Sequence, residues 1–287
     1  MLAIPQTRLD QLSQHLNTLD SPVWQTPINN LIIYQINEQS PQFAGIHRPA
    51  MCVILQGERE IILGDKHYIH SSDEFMLCTL DMPLSYCMRG GRSSIGATLY
   101  LDLALLRQVL AQLPSIAPVA VQQGLQFSSY GGKLQQAFGR LLDLLDTPEH
   151  IAVLAPLIEQ EIYYYLLQSS QGERLWAMMN DNSMANRIAR ATDWLNRHFS
   201  DKITVDELAH LAGMSESVFY KVFKQITTLT PIQYQKVLRL NHAKNLIIQE
   251  KLPITQVAHT VGYESPNQFS REYKRMFGVS PRGDVGN

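Results

Sequence analysis

Asn267, Gln268, Arg271 and Lys274 stand close together near the C-terminus, and their side chains suit one kind of target. Amides pair with adenine edges, guanidinium groups grip guanine edges or phosphates with two prongs, and ammonium groups sit on phosphates. Wound at about 100° per residue, this run puts Asn267, Arg271 and Lys274 on one side, flanked by Gln268 and Arg275. Phe269, Tyr273, Met276 and Phe277 fall opposite. One face is fit for a core and the other for a polyanion. A single helix with a solvated basic face would look the same, so the reading depends on whether the pattern recurs.

Other constellations carry less. His67, His70 and Glu74 are residue types that ligate zinc, iron or manganese. Residues three apart on a strand point to opposite faces, however, so His67 and His70 cannot share a site without a bulge. The metal-binding barrels called cupins use a His-x-His pair, and here the spacing is His-x-x-His, so ordinary surface or turn histidines are expected. Arg89, Gly90, Gly91 and Arg92 have the composition of a phosphate cradle but no Gly-x-x-x-x-Gly-Lys arrangement, and read as a hairpin loop. Cys52, Cys78 and Cys87 are odd in number with no Cys-x-x-Cys spacing. They read as buried thiols rather than a disulfide framework or a zinc site. No catalytic residue, metal or cofactor is indicated.

The elements that position the basic face are marked in the sequence. Gly262 supplies a tight turn, Ser265 an N-cap, Pro266 the first helical position, and Gln268 the third position of a capping box. The unit occurs twice. Residues 205–231 align with 254–281, matching Ala209 with Ala258, His210 with His259, Gly213 with Gly262, Phe219 with Phe269, Lys224 with Lys274 and Pro231 with Pro281. The first copy presents Ser217, Lys221 and Lys224 outward, with Tyr220 at the edge, opposite Phe219, Val222, Phe223 and Ile226. A purely structural bundle has no reason to repeat that outer face. Between the copies, residues 231–249 form a helix of about 28 Å, close to the roughly 34 Å between successive major-groove faces. Thr204 with Glu207, and Thr230 with Gln233, read as further capping boxes.

The rest of the chain is organised differently. Its 287 residues suggest about two domains. Residues 1–183 hold 10 Lys and Arg against 17 Asp and Glu, whereas residues 184–287 hold 14 against 9, so a net −7 precedes a net +5. The second part attracts nucleic acid and the first repels it. No apolar run reaches the roughly 18 to 20 residues of a membrane span, and the start lacks a signal-peptide pattern, so a cytoplasmic protein is expected. Between 30 and 101, short apolar runs alternate with turn residues, which predicts a small all-β barrel or sandwich. The strands are LIIYQI, MCVILQ, REIIL, KHYIH, FMLCTL and SIGATLYL, with Asp73 and the Asp81, Met82, Pro83 group as interruptions. Helices follow at 102–113, 133–145 and 151–168, broken by Pro114, Pro118, Pro148 and Gly172. The apolar stretch 161–168 requires a partner surface, either the barrel or a second copy of the chain. A polar segment, 171–183, reads as the junction between domains.

At residues 187–281 the pattern resembles the DNA-binding domain of AraC/XylS-type transcription regulators, which joins two helix-turn-helix units by a long helix. Ala258, Gly262, Tyr263, Ser265, Phe269, Arg271, Lys274, Gly278, Ser280 and Pro281 carry it, with Leu208, Ala209, Gly213, Ser215, Phe219, Phe223 and Lys224 in the first unit. The N-terminal part is similar to the sensor domain of one subgroup, through Gln56, Gly57, Glu58, then Leu63, Gly64, Asp65, and the RIARATDWL junction. That resemblance implies an α+β chain. A cupin-like sensor and dimerisation domain would span 1–180, and an all-α double helix-turn-helix domain 184–287. By position it implies base-reading roles for Ser217, Tyr220, Lys221, Asn267, Gln268, Ser270 and Arg271. Lys224, Lys274 and Arg275 are the candidates for phosphate. Thr228 stands where the family has glycine, at a cost of about 1 kcal/mol if the position is left-handed. Glu216 puts a carboxylate near the DNA side.

The implied function is sequence-specific binding of double-stranded DNA under control of a small-molecule effector. Contact with RNA polymerase and a homodimer are the further partners. A metal-dependent cupin enzyme is the alternative, opposed by the missing His-x-His pair. An architectural DNA-binding protein without an effector is the other.

Overall fold

The structure, a computed structural model, describes residues 5–19, 21–37, 43–88, 93–114, 121–248, 250 and 252–284. The Arg89 to Arg92 run and Pro118 lie outside these. After α1 (Gln6–Asn17) the chain forms β1 (Val23–Gln25), β2 (Leu31–Ile36), β3 (Phe43–His47), β4 (Ala50–Gln56) and β5 (Glu58–Leu63). Then come β6 (Lys66–Ser71), β7 (Glu74–Cys78), β8 (Met82–Met88) and β9 (Ser94–Tyr100), α2 (Leu103–Leu110), and β10 (Leu125–Ser129). Among the described residues, one antiparallel sheet has the order β1-β2-β9-β4-β7-β10 and faces a second, β3-β8-β5-β6.

The apolar run of β4 is continuous because both its faces are covered. Met51, Val53 and Leu55 meet the helices outside, while Ala50 and Cys52 point between the sheets. The Met82 and Pro83 turn expected from the sequence is instead the start of β8. Pro83 opposes Ile46 of β3, and β8 pairs with β5 only from Ser85 onward, so no donor is missed on the β5 side. The strands β3 and β10 escape the sequence pattern because each is held by a partner distant in the chain, β8 and β7, and β1 escapes it because only three residues pair with β2.

The helices α3 (Gly132–Asp143), α4 (Ile151–Gln168) and α5 (Gly172–Met179) cover the outer face of the larger sheet with α1 and α2. Ile162, Tyr163, Leu166 and Leu167 are buried there, so the apolar 161–168 stretch packs on the chain's own body. The expected junction at 171–183 is largely α5, with Leu175 and Met178 in the same core. Gly172 permits the tight step from α4, since a Cβ would lie 2.0 Å from the Leu167 carbonyl oxygen.

The C-terminal part comprises α6 (Met184–Arg197), α7 (Val205–Leu211), α8 (Glu216–Thr227), α9 (Pro231–Ile248), α10 (Ile254–Thr260), α11 (Pro266–Phe277) and α12 (Pro281–Asp284). The core of the first helix-turn-helix is continuous with the inner barrel, linking Leu80, Met82 and Leu84 to Phe223, Leu229 and Leu238. The second unit has its own core around Val257, Phe269 and Tyr273.

Candidate functional site

The turns of the two helix-turn-helix units share one hydrogen-bonding scheme. Gly213 and Gly262 take φ of 62° and 85°. Their N–H groups donate to His210 O and His259 O, and those of Met214 and Tyr263 donate to Ala209 O and Ala258 O, all at 2.9 Å. A Cβ on Gly262 would lie 2.1 Å from Ser200 O, so no larger residue fits that turn.

An arginine from the preceding long helix docks on each turn. Arg187 of α6 donates from Nε to Ala212 O at 2.7 Å, and Arg239 of α9 donates from Nη1 to Gly262 O at 2.9 Å. Arg239 also reaches the carbonyls of Phe199, Ser200 and Asp201. These residues orient the recognition helices without touching the outer face. Sequence reading passed over both; their signal is an arginine placed on the helix that precedes each unit.

Capping differs between the helices of the two units. Thr204 with Glu207 closes a full capping box, as do Thr230 and Gln233. Ser265 accepts from Gln268 N, but the Gln268 side chain turns to Glu272 at 3.4 Å, so the expected second capping box closes on one side only. Ser215 makes no side-chain cap bond to α8.

Ser217, Tyr220, Lys221 and Lys224 are exposed on α8, and Asn267, Gln268, Arg271, Lys274 and Arg275 on α11. Glu216 is exposed beside them. Ser270 is half-buried and its hydroxyl donates to Pro266 O at 2.9 Å within its own helix. Arg275 borders a crevice toward the barrel, shared with Asp65, Lys236 and Glu272. Glu272 is turned inward. Burial would raise its carboxyl pKa, but bonds from Tyr263, Lys236 and Gln268 hold it below the usual range.

A second site lies between the two sheets. There a cavity of about 170 Å³ is lined by Tyr34, Ile36, Ile46, His47, Arg59 and Tyr86, among others. His47 Nδ1 donates to Arg48 O at 2.8 Å, and its Nε2 is 3.2 Å from Cys52 Sγ. Burial alone would lower the His47 pKa, but the facing Cys52 and Cys78 sulfurs raise it well above its usual value. Burial would raise the Cys52 pKa, yet His47 and Arg59 bring it down. Cys78 is buried, whereas Cys87 is only half-buried and donates to Glu60, so the expectation of three buried thiols holds for two.

The histidines weighed as ligands separate as strand geometry requires. His67 is exposed and pairs with Glu60 at 2.8 Å. His70 is fully buried rather than at the surface; its Nε2 donates to Glu74 O, and burial pushes its pKa down to about 3. Among the described residues no group of three His, Cys, Asp or Glu could hold a metal ion.

Residues 27–174 match the family described as AraC-type transcriptional regulator N-terminus, and residues 208–283 match a helix-turn-helix domain family. The probable transcriptional regulator LumQ of Photobacterium leiognathi is 31% identical over 156 residues, covering 51% of this chain and 63% of that protein. The transcriptional activator RhaS of Escherichia coli is 32% identical over 126 residues, covering 44% and 43%. The chain thus spans between 43% and 63% of the length of these curated relatives. Both are named as transcription regulators, which sets aside the enzyme alternative. Among solved structures, fatty-acid-bound ToxT from Vibrio cholerae aligns over 89% of this chain and 94% of its own, with a TM-score of 0.57 at 11% identity, a likeness of fold. The AraC-type match covers more than half of the residues, and the protein belongs to the AraC-type transcriptional regulators.

Proposed function

We propose that the protein regulates transcription by binding specific duplex DNA through α8 and α11, under control of a small molecule held in its barrel. The duplicated unit carries the reading: two turns with the same hydrogen bonds present two exposed polar and cationic faces. The chain joins them through α9, whose 18 residues span about 27 Å, near the roughly 34 Å repeat of the major groove.

Ser217, Tyr220 and Lys221 read bases in one groove, and Asn267, Gln268 and Arg271 in the next, with Ser270 closest to the helix's own backbone. Lys224, Lys274 and Arg275 sit on phosphate. Sensing belongs to residues 1–180 and DNA reading to 184–287, with the Ser183 cap opening α6 between them. The cavity between the sheets supports an effector, as does the name of the ToxT structure, bound to an unsaturated fatty acid. Regulation also implies contact with RNA polymerase. No described helix is long and apolar enough to cross a membrane, and a cytoplasmic location is part of the proposal. A second copy of the chain is the remaining partner, supported by Val153, Leu154, Leu157 and Tyr164 exposed along α4. Sedimentation as a monomer at micromolar concentration would remove that partner.

Binding to the preferred duplex over a salt series, followed by fluorescence anisotropy, tests the central reading. Arg271→Ala is expected to lose about 1–3 kcal/mol and relax discrimination at one base pair. Lys274→Ala is expected to weaken all sequences alike and reduce the salt slope by about 1. Wild-type binding by both variants would show that the assigned faces are wrong.

A further inference from the structure

The barrel cavity contains a charge that the protein does not neutralise. Arg59 occupies an inward position of β5, where Arg59, Ile61 and Leu63 are buried and Glu58, Glu60 and Ile62 are not. It is 2% exposed, and its Nε and Nη2 are buried without a hydrogen-bond partner. The guanidinium lies over two aromatic rings, 4.8 Å from the centre of Tyr34 and 4.6 Å from that of Tyr86. The Tyr86 hydroxyl is likewise buried with no partner. Among the described residues no carboxylate pairs with Arg59. Glu60, its neighbour in sequence, serves His67 and Cys87 instead.

The other ionisable groups nearby do not change the balance. Cys52 and His47 form a hydrogen-bonded pair. Whether that pair is thiol with imidazole or thiolate with imidazolium, its net charge is zero. One positive charge therefore remains in a cavity otherwise walled mainly by apolar and aromatic side chains. A buried ion is stable when a partner of opposite charge satisfies its donors. Here Nε and Nη2, which together form one edge of the planar fork, are the donors left open.

We infer that the cavity binds a small carboxylic acid as its anion, the carboxylate held by Arg59 and Tyr86 and a compact apolar body packed against Ile36 and Ile46. This deepens, and rests on, the reading of the barrel as the effector site. A monoanion matches the single uncompensated charge, whereas a phosphate dianion would exceed it. Size sets the body: an apolar cavity of about 150 Å³ accommodates a molecule the size of benzene, and this one measures about 170 Å³.

The test uses the full purified chain, titration calorimetry, and three acids with their uncharged amides: benzoate, cyclohexanecarboxylate and 3-methylbutanoate. At least one acid is expected to bind, with its amide weaker by about tenfold or more, the worth of a charged hydrogen bond. Arg59→Met removes an unpaired buried charge, so its unfolding midpoint is expected to hold or rise while acid binding falls by at least about tenfold. If that variant fails to fold, Tyr86→Phe keeps the shape and is expected to weaken the acid about three- to tenfold. Equal binding of acid and amide, undiminished binding by the variants, or no binding of any acid overturns the carboxylate assignment. DNA affinity with and without ligand separates the two readings. An amide that binds and shifts DNA affinity leaves the effector reading in place. An acid that binds through Arg59 without changing DNA affinity preserves the site and removes the effector reading.

Discussion

Thr228 closes the first recognition helix at φ 66°, in the left-handed region where a β-branched side chain is strained. Its hydroxyl is buried without a partner, which adds to the cost. Gly278 holds the corresponding place in the second unit at φ 77° and donates its N–H to Lys274 O at 2.9 Å. Thr228→Gly is therefore expected to stabilise the protein by about 1 kcal/mol, the relief of strain exceeding the added freedom of glycine in the unfolded chain. Urea denaturation at equilibrium measures it, and a lowered midpoint would show that the Thr228 methyl group contributes more than the strain costs. With Ser265 bonded at its cap and Ser215 not, the second unit has the better-defined start as well as the better-defined end.

At the scale of elements, α4 and α9 show how packing overrides composition. Along α4, Glu159 lies on the buried face with Ala155, Ile162 and Tyr163. Burial first, and Asp102 second, push its carboxyl pKa up to about 7. In the unfolded chain that group titrates near 4.3. Because the folded pKa is the higher one, the native state binds the extra proton between these values, and stability falls as pH rises from about 4.3 to about 7. Glu159→Gln removes the burden. It is expected to be more stable than wild type by about 1–2 kcal/mol at pH 8, with the difference shrinking as pH falls toward about 4.5. Urea midpoints across that pH range measure it, and a difference independent of pH would contradict the assignment. In α9, Tyr234, Val237, Leu238, Leu240, Ala243 and Ile247 are buried on several sides at once, because the helix touches both DNA-binding units and packs along β3 and β8. The helix that links the two helix-turn-helix units is thus also the one that rests on the barrel.

Across the whole molecule, that contact joins the barrel to the helix-turn-helix units. Tyr234 donates from its hydroxyl to Asp81 O at 2.7 Å, and Asn196 Nδ2 donates to the Asp81 carboxylate at 2.7 Å. Gly124 N donates to Ile226 O at 2.8 Å, and Leu229 packs against Gly64, where a Cβ would lie 2.6 Å from its side chain. Since one apolar core runs through both parts, a single cooperative unfolding transition is expected for the wild type. Leu229→Ala, which opens a cavity at this junction, is expected to cost about 2–4 kcal/mol and to split the transition in calorimetry. A single transition with an unchanged midpoint would mean that the junction is not a structural coupling.

Local chemistry in the sequence was enough to specify the two helix-turn-helix units. Gly213, Gly262, Thr204, Ser265 and Pro266 specify turns and caps through local backbone chemistry, and the 3.6-residue period sorts core from surface without knowledge of the partner. Most strands were legible as short apolar runs bounded by turn residues. Tertiary structure decided the rest, because it depends on residues far apart in the chain. The strands β3 and β10, the seating of α9 on the barrel, and the docking of Arg187 and Arg239 on the turns all join residues far apart in the chain. Arg59 lies between the two cases. A charged residue at an inward position of an alternating strand is visible in the sequence EREIIL. That its guanidinium meets two aromatic rings, an uncharged sulfur–imidazole pair or its zwitterion, and no carboxylate was fixed only when the two sheets closed over it.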